Sequence, residues 1–284
     1  MPLRLALAAL MLAAVPAVTT PTPVAAQIAT PDTQGADRLF DALGLPDLVE
    51  VMRAEGIVYG EEIAGQLFPG RDPDRFLDEV ARIYEPARLE NAMRDAFATA
   101  LGDAETADAI AFFEGDPGAR IVSLEVGARQ ARLDEDVEAA ADERAALARA
   151  DGTDRLALVE RFIDANDLVE ANVVGALNAN YAFYLGLADG GAFPGEVSAD
   201  EMLADVWAQE DEIRASTTDW LHSFLLMAYG PLADEEIETY IAFSETDAGR
   251  RTNAALFAAF DEMFVGVSRA LGQGAARFMA SEEL

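Results

Sequence analysis

The chain of 284 residues carries 52 acidic and 20 basic side chains, a formal net charge of −32, and no cysteine. Every basic residue is an arginine, so the sequence has no lysine for a phosphate-binding loop or a Schiff base. With one histidine and no thiol, clustered Cys/His zinc sites and cysteine nucleophiles are excluded. The negative charge disfavours nucleic acids and anionic membrane surfaces as partners.

The first 26 residues have the three parts of a secretory signal peptide. Arg4 supplies the positive start, residues 5–15 form a short apolar run, and Val24-Ala25-Ala26 precedes Gln27 as a small-residue cleavage site. The apolar run is too short to span a bilayer and Pro16 interrupts it. We expect cleavage near Ala26/Gln27, a disordered leader over residues 27–36, and a periplasmic or secreted protein of a Gram-negative bacterium without a transmembrane segment.

Apolar residues in the rest of the chain recur at helical spacing. The segment 48–63 places them three and four positions apart, and only Glu55 interrupts the apolar face. Asp72-Pro73 is typical of a helix start, and Pro86 forces a break or a new start. Because no segment alternates as strands do, we predict an all-α fold.

One ten-residue stretch occurs twice, 131 positions apart. Residues 111–120 return as residues 242–251, and Asp103, Glu105 and Ile110 return at the same spacing. Asp47-Leu48-Val49-Glu50 recurs 120 positions on, and Phe68-Pro69-Gly70 recurs 125 positions on. The preserved order predicts an internal duplication, with helical unit 1 at 37–150 and helical unit 2 at 151–284.

Within the repeated stretch, the residue types are those of a corner between two helices. Gly115 fits the left-handed position after a helix, Asp116 the next cap and Pro117 the first helical position; in the second copy Thr246 or Asp247 can cap. We expect Gly118 and Gly249 to allow close approach of another backbone, and Arg120 and Arg251 to reach back to Glu114 and Glu245 or to acidic neighbours. The structural repeat motif comprises Phe112, Glu114, Asp116, Gly118, Arg120, Phe243, Glu245, Asp247, Gly249 and Arg251.

A long helix is expected after each corner. In the second copy the apolar spacing from Leu256 to Ala270 indicates a helix that packs against its neighbours. In the first copy the pattern decays after Leu133, which predicts a solvent-facing helix that links the two units. The boundary falls at residues 151–154, where Thr153 or Asp154 can cap the next helix.

The corner resembles a family of exported bacterial proteins, domain-of-unknown-function family 2059, which carries a Phe-Tyr-x-Ser/Thr-Pro-x-Gly-x-Lys/Arg pattern. The matching residues are Phe112, Phe113, Gly118 and Arg120 in one copy, and Phe243, Thr246, Gly249 and Arg251 in the other. Gly115, Asp116, Asp247 and Ser244 depart from the pattern. The resemblance implies a helical periplasmic domain and supplies no catalytic residues.

Other candidate sites have simpler structural explanations. His222 shares a helical face with Asp219, but a di-metal site would need a second histidine. Ser268, in a sequence that looks like a nucleophile elbow, falls inside a predicted helix. Acidic pairs such as Asp211-Glu212 and Glu235-Glu236 are expected from composition alone. The phenylalanines that could line a ligand cavity also have the spacing of an ordinary core: Phe112, Phe113, Phe243, Phe257, Phe260 and Phe264.

These observations predict no catalytic, cofactor-binding or metal-binding residue. We expect a non-enzymatic binding or interaction module with a protein partner or an apolar ligand. The alternatives are a carrier of an apolar small ligand in a cavity between helices, which a connected pocket above ~300 Å³ lined by Phe and Leu would favour, and a hydrolase that uses carboxylates alone, which converging buried carboxylates would favour.

Overall fold

The computed structural model describes residues 33–193 and 198–280, and all secondary structure in these residues is helical. This confirms the predicted all-α class. No helix in these two ranges has both the length and the apolar character to cross a bilayer. In chain order the helices are α1 (Thr33–Ala42), α2 (Leu45–Leu67), α3 (Asp74–Ile83), α4 (Pro86–Leu101), α5 (Ala107–Glu114), α6 (Gly118–Ala131), α7 (Glu135–Asp151), α8 (Asp154–Ala165), α9 (Leu168–Asp189), α10 (Ala199–Trp207), α11 (Glu210–Tyr229), α12 (Asp234–Ser244) and α13 (Asp247–Ala280).

Local sequence signals account for several helix starts. Glu85 caps the backbone N–H groups of Ala87 and Arg88, so α4 begins at Pro86 as expected. The Thr153 side chain accepts from the backbone N–H of Leu156 at 3.2 Å and starts α8 at the predicted boundary. At α3, the start lies one residue later than expected, because Pro73 precedes the helix at Asp74. The predicted leader over 27–36 overlaps α1, which begins at Thr33, and the signal peptide lies outside the described residues.

Helices α1–α6 form a first set and helices α8–α13 a second set, and corresponding helices in the two sets make similar contacts. Helix α7 lies between the two sets in the sequence. Helix α1 packs on α4 and α5, while α8 packs on α11 and α12. Across the sets, α4 packs on α13 and α11 packs on α6. One large hydrophobic core therefore runs through both, from Ala36 to Phe278, and a small second cluster lies between α9, α10 and α11. The duplication itself stays a prediction.

The early repeat anchors do not occupy matching positions. Asp47 lies inside the first turn of α2, whereas Asp167 precedes α9 in a left-handed conformation with φ of 52°. The residue with the comparable conformation before α2 is Gly44, at φ 65°. Leu45 and Leu168 therefore begin the comparable helices. The Phe193-Pro194-Gly195 anchor lies partly outside the described residues.

The helices after the two corners differ in length. Helix α13 runs for 34 residues, and Phe260, Met263 and Val267 are buried along it as the apolar spacing predicted. Helix α6 has only 14 residues. The expectation of one long solvent-facing helix in the first copy is wrong, because the chain turns after Ala131 and Asp134 caps a separate helix, α7, which packs on α11.

Candidate functional site

At both corners a glycine lies directly against the backbone of the preceding helix. A Cβ placed on Gly118 would overlap the carbonyl oxygen of Phe112, and one on Gly249 would overlap that of Phe243. The predicted close approach at both glycines is confirmed, and the approaching backbone is that of the preceding helix. Thr246 caps the second corner by accepting from the Gly249 backbone N–H at 3.0 Å.

The corners also pack directly against each other. The rings of Phe112 and Phe243 stack with centroids 4.0 Å apart and an interplanar angle of 5°. Phe113 meets the Phe243 ring edge-on at 5.2 Å, and Tyr240 adds a second stacked contact to Phe112. In the described structure, the two corners therefore join the first set of helices to the second.

Three expectations about the first corner are wrong. Gly115 has φ −102° and ψ 174°, which is extended backbone rather than left-handed, so glycine is not required there by backbone strain. The Asp116–Pro117 peptide is cis and α6 begins one residue later, at Gly118, with no side-chain cap from Asp116. Arg120 does not bind Glu114 and takes the other predicted alternative, an acidic neighbour.

Ion pairs at the corners link distant elements instead. Arg120 donates to Glu236 on α12 at 2.6 Å and to the carbonyl oxygen of Pro231 at 2.8 Å. Glu114 binds Arg38 on α1, which lowers the pKa of its carboxyl group.

In the second corner, the arginine that reaches back is Arg250 rather than Arg251. Arg250 contacts the Glu245 carbonyl oxygen, and it binds the Asp247 carboxylate at 2.6 Å. Arg251 is exposed. The predicted contact of Arg251 with Glu245 is therefore made by Arg250, one position earlier.

A groove of about 490 Å³ opens between α2, α6, α7 and α11, and we call it the α2–α11 groove. It is larger than the ~300 Å³ at the lower end of small-ligand sites. Its apolar wall contains Met52, Val58, Tyr59, Leu133 and Trp220. Val58 and Leu133 are 54% and 42% exposed, so apolar side chains face solvent at the rim.

Two buried arginines form the polar floor of the groove. Arg129 on α6 makes a bidentate contact with Glu55 on α2, with both N···O distances at 2.8 Å. Arg132 donates to Ser223 at 2.7 Å and to Glu138 at 2.8 Å. Each guanidinium is held by partners on other elements, so the floor is rigid and its positive charges are locally neutralised.

Sequence reasoning missed this groove, although one signal pointed to it. Glu55 was the single residue that interrupted the apolar face of α2, and it lies there because Arg129 binds it. An acidic residue on an apolar helical face indicates a buried partner. The identity of that partner could not be read from the sequence, because Arg129 lies 74 positions away.

A second space, a small cavity of about 80 Å³, lies where the corners meet the core. Several predicted aromatic residues line it, including Phe113, Phe243 and Phe260. Its polar lining comes from Glu125, Asn166, Ser244, Thr252 and Asn253. The volume suits a few water molecules and is far below that of a ligand site.

Glu125 lies with its carboxyl group inside the protein next to this cavity. The hydroxyl group of the fully buried Tyr229 donates to its Oε1 atom at 2.6 Å. Burial raises the pKa of Glu125 to about 7, although the Tyr229 hydrogen bond opposes the rise. The residue keeps some accessible surface and lines the cavity, but its charged form is poorly solvated there.

The remaining candidates from the sequence do not come together. His222 is buried and lies 3.8 Å from Glu160, and burial lowers its pKa. Asp219 binds Arg149 instead. Ser268 is buried inside α13, so the strand-to-helix turn of a nucleophile elbow is not present.

The acidic pairs stabilise helix starts. Asp211 and Glu212 lie in the first turn of α11, where carboxylates complement the helix dipole. Glu235 lies in the first turn of α12, and Glu236 accepts from the backbone N–H of Ala233 at 2.7 Å. In the described ranges, no three His, Asp or Glu side chains form a group that could hold a metal ion.

Comparison with known proteins adds nothing to these observations. No family model, curated protein or solved structure matches the chain. The resemblance of the corners to family 2059 therefore stays a prediction that rests on the residues quoted above.

Proposed function

We propose that the protein is an exported, non-enzymatic binding module that uses the α2–α11 groove to bind its partner or ligand. The groove itself carries this proposal: a concave space of about 490 Å³ with an exposed apolar rim and a rigid polar floor. Exposed apolar side chains around a concavity are typical of interaction surfaces. Export to a bacterial periplasm rests on the sequence of residues 1–26.

The carrier alternative is less well supported by the space between the two sets of helices. That space measures about 80 Å³ and polar side chains form part of its wall, so an apolar ligand of ordinary size would not fit. The hydrolase alternative requires two carboxylates that act together. Within the described lining of the cavity, Glu125 is the only carboxylate.

An internal duplication explains why the groove is open. Under this proposal α2 corresponds to α9, α4 to α11, and α6 to the first part of α13. The second part of α13 continues between α9 and α4, whereas α6 stops and α7 turns onto α11. The space that a longer α6 would fill between α2 and α11 is the groove.

Native mass spectrometry of the protein purified from its own source tests the proposal. We expect a bound species on the wild type that is lost in Val58→Arg, which places a charged side chain at the groove rim. Val174→Arg is the matched control, because Val174 is also an exposed apolar residue on a long helix, at 45% exposure. A bound species that survives Val58→Arg and disappears in Val174→Arg would contradict the assignment of the groove.

A further inference from the structure

The groove has a counterpart inside the same molecule that is already occupied by a helix. Helix α13 packs on α9, α4 and α3, and its C-terminal half, residues 263–280, makes contacts with both α9 and α3. Gly272 on this half lies directly against the backbone of Phe183 on α9. Phe278 packs its ring on Phe68 and Phe76, with centroids 4.5 and 6.2 Å apart.

We propose that the α2–α11 groove binds a short amphipathic helix that carries basic residues, supplied by another protein. This inference rests on the proposed function and names the chemistry of the partner. The walls α2 and α11 correspond to α9 and α4, which hold the C-terminal half of α13. A helix laid in the groove would therefore repeat a packing that the fold already contains.

The charge of the groove lining predicts the charge of the partner. The groove lining contains two arginines and four glutamates, a formal charge of −2. Both arginines are engaged by carboxylates, and the exposed Glu62 and Glu135 remain at the rim. The helix in the counterpart position carries Arg269 and Arg277, which bind Asp189 and Glu79 at 2.7 and 3.0 Å.

One polar atom in the groove wall has an unmet hydrogen bond. The Tyr59 hydroxyl is buried and has no hydrogen-bond partner in the described part of the chain. An unsatisfied buried hydroxyl destabilises the folded state. Because this oxygen is buried beneath the groove surface, a bound helix would reach it only if the Tyr59 side chain moved, so the choice of a basic partner rests on the acidic rim.

The chain supplies both a reporter and a probe for the test. It has two tryptophans, Trp207 and Trp220, so a Trp207→Phe variant leaves Trp220 in the groove wall as the only tryptophan, which can be excited selectively over the tyrosines. The probe is a synthetic peptide of residues 262–280, which contains Arg269 and Arg277. We expect saturable binding reported by Trp220, weakened about tenfold or more by Val58→Arg and less than about twofold by Val174→Arg.

Charge is tested with a second peptide in which both arginines are replaced by glutamate. Its affinity should fall about tenfold or more at low salt, and the difference between the peptides should shrink at high salt. Absence of binding by the basic peptide, equal binding by both peptides, or insensitivity to Val58→Arg would overturn the proposal.

A small cationic amphiphile tests whether the groove binds a small ligand instead of a helix. If dodecyltrimethylammonium saturates the Trp220 signal in a Val58-dependent manner and the peptide does not, the helix proposal is wrong although the groove still binds a ligand. If neither probe binds, and no species lost in Val58→Arg is found on the purified protein, the proposed function fails as well.

Discussion

The pair α9 and α13 is closed along the C-terminal part of α13, where glycines allow close contact, whereas the comparable pair α2 and α6 has no such continuation because α6 ends at Ala131. Gly186 and Gly272 bring the backbones of α9 and α13 into direct contact. Helices α2 and α6 are instead joined by the long side chains of Glu55 and Arg129. Side-chain size at the contact sets the distance between helix axes. The same order of helices can therefore produce a tightly packed core in one half and a groove in the other.

The closed pair should be the most sensitive part of the molecule to added volume. We expect Gly272→Leu to lower the free energy of unfolding by ~3 kcal/mol or more, because the new side chain meets the backbone of Phe183 and helices cannot separate without loss of core packing. Chemical denaturation monitored by circular dichroism measures the change.

Gly266 offers a matched control for this substitution. It lies on the same helix, and nothing lies within 4 Å of a Cβ placed there. Gly266→Leu should be neutral or stabilise by up to ~1 kcal/mol through helix propensity. Equal losses in the two variants would mean that the close contact between α9 and α13 is not what makes Gly272 sensitive.

Glu125 makes the junction of the two sets sensitive to pH. The unfolded state releases the Glu125 proton near pH 4.5, whereas the folded state retains it up to pH about 7. The folded state therefore binds more protons between these values, and the free energy of unfolding falls as pH rises through this window and then levels off.

A Glu125→Gln variant removes this titration and retains an oxygen that can accept from Tyr229. Relative to the wild type, it should gain ~2–3 kcal/mol between pH 5 and pH 8. The difference between the two proteins cancels the opposite contribution of His222, whose pKa is lowered by burial. A constant difference over this range would show that Glu125 titrates normally.

The corners test whether the two halves are equivalent where their sequences agree. Gly118→Leu and Gly249→Leu should each cost ~1–3 kcal/mol, because each new side chain would overlap the preceding helix backbone. Gly127→Leu on α6 is the control, with open space around its Cβ. A large loss at only one corner would mean that the matching contacts do not carry matching free energies.

The sequence was sufficient for the helices and for the corner glycines, because both depend on local rules. Apolar periodicity, Thr153 and Pro86 determine helix positions over a few residues. The length of α6 was misjudged, since the turn before α7 depends on Asp134 as a cap within an acidic stretch that also fits a solvent-facing helix. The Arg120–Glu236 pair, 116 positions apart, depends on tertiary packing and could not be read from local spacing.

The groove was missed for a related physical reason. Its residues come from five helices and from the segments that connect them. Each residue taken alone has an ordinary explanation: Trp220 looks like core and Glu135 like a solvated helix start. These residues reach the surface because α6 ends at Ala131 and does not cover them. The sequence does not show how far one helix extends relative to its neighbours.

The open pair gives the smallest expected effect and the sharpest test of how the groove is maintained. Arg129→Met removes a buried charge and leaves Glu55, whose side chain is 35% exposed, with water as its alternative partner. Because Glu55 can be rehydrated, the loss should be ~1–2 kcal/mol rather than the 3–5 kcal/mol seen when a charge is left fully buried. Arg38→Met removes the exposed pair with Glu114 and should leave the free energy of unfolding nearly unchanged, because solvent screens such a pair. If Arg129 holds the groove floor, its variant should also change Trp220 fluorescence in the Trp207→Phe background, whereas Arg38→Met should not. An unchanged Trp220 signal with the full loss of stability would mean that the pair stabilises the fold without shaping the groove.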